Sequence, residues 1–103
     1  MSSGTEPTWT FLTNHAQVLL AVSQDTDIRL RDVAERVGIT ERAAQRILTD
    51  LVEADYVERD RQGRRNHYRI NPSAQMRHPA QEGIEIQGLL DFLHRGQTHQ
   101  AMN

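Results

Sequence analysis

Two short stretches of the chain collect long, donor-rich side chains at spacings suited to a nucleic acid. In the first, Arg42, Gln45, Arg46 and Thr49 recur at helical intervals. With Arg42 set at zero on a helical projection, Arg46 falls at about 40°, Gln45 at about 300° and Thr49 at about 340°, so the four share one face. Arginine donates two parallel hydrogen bonds to a guanine edge, and glutamine pairs in the same two-pronged way with adenine. This face therefore has the chemistry of DNA base contacts. In the second stretch, Arg61, Arg64, Arg65 and Arg69 crowd a polar segment that contains Gly63. Like charges packed this closely repel one another unless a polyanion relieves them, which points to phosphate contacts or the minor groove. Thr40 stands just ahead of the first stretch. Its hydroxyl can cap a helix there, and the free N–H groups of a first turn favour a phosphate.

The charge distribution supports this reading although the net charge of the 103-residue chain is −2. Residues 1–27 hold three acids and no base, whereas residues 28–70 hold ten arginines against eight acids. Within that segment, residues 59–69 carry five arginines and one acid, a local net charge of +4. All twelve basic residues are arginine, whose planar guanidinium matches phosphate and guanine better than an ammonium does.

Other chemistries find little support. There is no cysteine, which removes disulfides, thiolate metal sites and thiol nucleophiles. His15, His67, His78, His94 and His99 are scattered, with no third ligand beside the last two, so no metal site and no cofactor are expected. No serine, histidine and acid have a spacing that suggests nucleophilic catalysis, and no glycine loop is built to cradle a nucleotide. The chain does not read as an enzyme. Its longest apolar run, Val18 to Val22, is far too short to span a membrane, and MSSGTEPTW lacks the layout of a signal peptide. A soluble, cytoplasmic protein is expected.

The positioning elements follow from caps and period. Thr13 caps a helix over NHAQVLLAVSQ, with Ala16, Leu19 and Leu20 on one face, and QDTD closes it as a loop. A short extended piece, Ile28-Arg29-Leu30, leads to a second helix from Arg31 to Val37 that turns Val33, Ala34 and Val37 inward. Gly38 supplies a left-handed residue past its end. After Ile39, Thr40 caps a third helix from Glu41 to Ala54, whose apolar Ala44, Ile47, Leu48 and Leu51 lie opposite the donor face. The period then alternates, predicting strands over 56–59 and 66–70 with Asp60 to Arg65 as the hairpin tip. Val57, Tyr68 and Ile70 face inward, and His67 and Arg69 outward. Tyr56, Tyr68 and Trp9 are expected to pack. Residues 74–79 read as a polar linker, and Ala80 to Arg95 as a last helix stopped by Gly96. Its stripe of Ile86, Leu89, Leu90 and Leu93 has Ile84 and Phe92 at the margins. Gly83 and Gly88 weaken that helix by about 1 kcal/mol each relative to alanine.

Two helices meeting at a steep angle across a tight turn need a small residue at the contact, a glycine at the turn and apolar residues on both sides. Ala34, Gly38, Ile39, Ala44 and Ile47 meet those needs in the run LRDVAERVGITERAAQRILTDL, and a basic hairpin follows. Over residues 12–71 the pattern resembles the winged helix-turn-helix transcriptional regulators of bacteria and archaea, broadly the MarR-like and ArsR-like groups. Arg29 departs from it, since such proteins often carry Ser or Thr there as the cap of the second helix. The cysteine motif of metal-sensing ArsR-like members is also missing, so the resemblance implies no metal response.

The expected fold is α+β and mostly helical, a winged helix-turn-helix with a C-terminal dimerisation helix. Residues 1–10 are read as a flexible tail, 11–73 as the DNA-binding domain and 79–96 as the helix that pairs two subunits through Ile86, Leu89, Leu90 and Leu93, with folding back beside the first helix of its own domain as the alternative. The expected partners are double-stranded DNA and a second copy of the chain, with no membrane and no effector specified. A winged helix used purely for protein contacts, or an RNA-binding one, is the competing reading. The arginine-rich hairpin combined with a donor-rich third helix favours DNA.

Overall fold

A computed structural model describes residues 9–63 and 65–101, with side chains through residue 96. The first helix, α1, spans Asn14–Gln24, and the Thr13 side chain accepts the Ala16 N–H at its start. Val18, Leu19, Leu20, Ala21 and Val22 are all buried, and five consecutive residues cover the whole circumference of a helix. The single inward face expected from Ala16, Leu19 and Leu20 is therefore too narrow. This helix is central, with contacts to every later helix and to the hairpin, and an amphipathic template cannot describe it.

Helix α2 spans Leu30–Val37, and α3 spans Glu41–Glu53. Between them Gly38 sits at φ +86°, and its N–H and that of Ile39 both return to the Ala34 carbonyl. A methyl group on Gly38 would meet no atom within 4 Å, so the backbone angle alone makes glycine the suitable residue. Ala34 is buried where the two helices approach, as are Ala44, Ile47, Leu48 and Leu51 on α3. Thr40 accepts the Ala43 N–H and caps α3 as its position predicts. The helix ends one residue before Ala54, and Asp55 makes the exit turn at φ +65°.

Strands β1 (Val57–Gln62) and β2 (Arg65–Ile70) form an antiparallel hairpin with Val57 opposite Ile70 and Gln62 opposite Arg65. Both strands run further than expected. Of the six residues expected as the tip, Asp60, Arg61 and Gln62 lie in β1 and Arg65 in β2. Cross-strand pairing accounts for this, because it carries polar residues along that have no strand preference of their own. At its base Val57 and Tyr68 are buried and Ile70 half-buried, as alternation predicts. The free edge of β2 is met by the α1–α2 loop, where the Tyr68 N–H donates to the Thr26 carbonyl at 2.9 Å.

The C-terminal part differs most from expectation. The last helix, α4, begins at Ile86 and runs to Ala101, past Gly96. Before it come a 3-10 turn at Pro79–Gln81 and Gly83 at φ +85°, which breaks the anticipated start at Ala80. Residues 74–79 are not a free linker. Ala74 is buried, Met76 N–H donates to the Ile84 carbonyl, Ile86 N–H donates to the Ala74 carbonyl, and the Tyr56 hydroxyl holds the Gln75 carbonyl at 2.8 Å. This short return packs α4 against α1. Ile86 and Leu90 join the chain's own core, and Leu89 and Leu93 lie half-buried beside it. Of the four residues expected to pair two subunits, Ile86 and Leu90 are thus covered within the chain, as the fold-back alternative has it. Trp9, expected to pack, is 72% exposed, and Phe11 and Phe92 are exposed as well.

Candidate nucleic-acid interface

Helix α3 presents Arg42, Gln45 and Arg46 to solvent on the side away from its buried row. Neither guanidinium has a hydrogen-bond or ion-pair partner among the described residues. Thr49 is half-buried, and its hydroxyl donates to the Gln45 carbonyl at 3.0 Å, which leaves only its acceptor lone pairs for another group. Further along, Asp50 is held by the His15 ring at 2.9 Å. Of the acids on α3, Asp50 and Glu53 lie toward its C-terminal end, and Glu41 stands in the first turn without an ion pair to Arg42 or Arg46.

The hairpin supplies the second wall. Residues directly paired across antiparallel strands share a face, so Arg59 lies with Tyr68, and Arg61 with Asn66, on the side of buried Val57. The core-facing side of the hairpin thus changes character along its length, apolar at the base and cationic toward the tip. Gln45, Arg59, Arg61 and Asn66 line a cleft of about 380 Å³ between α3 and this face. Arg59 and Asn66 were not singled out from the sequence. The strand register that brings them beside Arg61 was the missing signal, because the expected strands stopped short of it.

On the opposite face of the hairpin Arg69, His67 and Arg65 each find a partner within the chain. Arg69 donates to Glu58 at 2.5 Å, and that hydrogen bond, reinforced by the charge of Glu58, raises the Arg69 pKa above the usual guanidinium value. His67 Nδ1 lies 2.7 Å from the Asp27 carboxylate, and Arg65 donates to the Asp27 carbonyl at 2.6 Å. These two contacts, with the Tyr68–Thr26 bond, fasten the hairpin stem to the α1–α2 loop. Of the arginines expected to meet phosphate, Arg61 is in the cleft, Arg65 is tied to the loop and Arg69 is ion-paired on the far face. Arg64 lies outside the described residues. Thr40 is exposed at the start of α3 with its hydroxyl oxygen engaged in the cap.

His78 and His94 are also engaged within the fold, and the His99 side chain lies outside the described residues. The Ser23 hydroxyl gives its proton to the Leu20 carbonyl, so the 3.0 Å contact from His94 Nε2 makes that nitrogen the donor. His78 Nδ1 accepts the Ala80 N–H at 3.0 Å. No group of three potential metal ligands comes together among the described residues.

A steep helix pair with a left-handed glycine turn, followed by a two-stranded hairpin beside a donor-rich third helix, is the arrangement of a winged helix-turn-helix. The MarR family model matches residues 9–66, more than half of the chain. This protein belongs to the MarR family. It is a transcription regulator of the winged-helix type, and the matched region contains α1 to α3 and most of the hairpin. The broader resemblance to ArsR-like regulators narrows accordingly. Comparison with curated proteins finds no match. No helix among the described residues is long and apolar enough to cross a membrane.

Proposed function

We propose that this MarR-family regulator binds duplex DNA sequence-specifically as a homodimer in the cytoplasm, with no catalytic activity of its own. The observation that carries the reading is a set of unpaired guanidiniums, Arg42 and Arg46 on α3 and Arg59 across the cleft, flanking Gln45. Helix α3 enters the major groove by its N-terminal half. Arg42 and Arg46 meet base edges there, with Gln45 and Thr49 at the side of the same surface. Thr40, Arg61, Arg64 and Arg65 reach phosphates, and the paired Arg69 contributes least.

The dimer rests on apolar surface left over after α4 has packed. Phe92 is 63% exposed, beside half-buried Leu89 and Leu93, and Trp9 and Phe11 are exposed ahead of α1. A two-fold pair through the exposed side of α4 sets two α3 helices on successive major grooves, roughly 34–36 Å apart, and favours an inverted-repeat operator. Selection of genomic fragments by the purified protein tests DNA binding and recovers the operator together. The selected duplex should resist competition by unrelated DNA and by RNA. Equal competition by RNA would support the RNA-binding alternative, and failure to recover any fragment would reject the reading. Light scattering at tens of micromolar tests the dimer, and a monomer there rejects it.

A further inference from the structure

Arg29 occupies the N-cap of α2, where an acceptor side chain would stabilise the helix, and arginine carries donors only. No side-chain cap bond forms there. Arg29 instead lines a second cleft of about 340 Å³, together with Gln45, Arg65 and Asn66. Gln45 and Asn66 also line the cleft that holds Arg59 and Arg61, so these two amides border both clefts. Four guanidiniums surround two carboxamides, and no carboxylate lines either cleft. The guanidinium of neither Arg29 nor Arg59 has a hydrogen-bond or ion-pair partner among the described residues.

We propose that the two neighbouring clefts together cradle a phosphodiester segment of one DNA strand, held by Arg29 from the start of α2 and Arg59 from β1. The proposal rests on the duplex-binding reading and adds two residues to it. A base edge offers acceptors and donors in mixture, whereas a phosphodiester offers acceptors and negative charge alone, which is the complement of this lining. The clefts also lie between the helix that enters the groove and the hairpin that flanks it, where the strand bordering the groove must pass. Arg29 thus sits at the cap as a ligand contact, and the helix loses capping stability there.

The capping loss makes the test unusually selective, because it predicts opposite changes in two measurements. In the protein without DNA, Arg29→Ser should raise the melting temperature by about 4–8 °C. On a duplex recovered by fragment selection, the same variant should bind about tenfold more weakly at low salt and lower the log–log salt slope by about 0.9. Arg59→Gln should show the same binding loss with an unchanged melting temperature. A neutral methylphosphonate at the gripped position should weaken the wild-type protein and leave Arg29→Ser indifferent. If wild type binds the duplex but both variants keep its affinity and salt slope, the cradle is rejected while the DNA reading stands. If wild type binds no duplex, the reading itself fails and the cradle with it.

Discussion

The arginines around the cleft and the apolar stripe of α4 are both sets of side chains that the sequence leaves in need of a partner. The fold treats them in opposite ways. Ile86 and Leu90 find cover within the chain, against α1, once the return through Ala74 and Met76 brings α4 back. The guanidiniums of Arg29, Arg42, Arg46 and Arg59 find none among the described residues, although residues 28–70 hold eight acids. The hairpin repeats the contrast on a smaller scale, with Glu58–Arg69 and Asp27–His67 paired on one face and Arg59 unpaired on the other. Burial is non-directional and satisfied by any apolar neighbour, whereas an ion pair needs a specific partner in reach. Cations left without acids on one continuous surface therefore say more about a ligand than an apolar stripe does.

The strongest test of this contrast is at Leu90, which is 2% exposed. Leu90→Ala should cost about 2–5 kcal/mol in urea unfolding and leave the salt slope of DNA binding unchanged. A variant that keeps full stability but no longer dimerises would return the stripe to the interface and break the comparison. Next in size, Arg42→Ala or Arg46→Ala should each cost about 1–3 kcal/mol on the selected duplex and relax specificity at one position. Wild-type affinity and selectivity in both would remove α3 from base reading. Thr40→Ala should lower stability by about 1 kcal/mol through the lost cap, a value that thermal melting resolves. The smallest effects separate the two faces of the hairpin. Arg61→Ala should lower the salt slope by about 0.9 and weaken binding to all duplexes alike, whereas Arg69→Ala should leave the slope where it was. Equal slopes for the two variants would erase the distinction between the faces.

Sequence alone determined the helix-turn-helix, because its signals are local. Thr13 and Thr40 cap their own helices, Gly38 makes its own turn, and the apolar row of α3 is a property of one helix. The donor face of Arg42, Gln45 and Arg46 is legible for the same reason. Tertiary structure decided what depends on distant parts of the chain meeting. The strand register that sets Arg59 beside Asn66 needs both strands at once, and the cleft needs α3 as its other wall. The Glu58 pairing that takes up Arg69 depends on the same register. The fate of α4 turned on residues 74–79, a polar segment with the look of a linker, whose backbone bonds and one tyrosine hydroxyl hold it to the domain. Hydrophobic period shows that a stripe must be covered, but only the path of the chain determines what covers it.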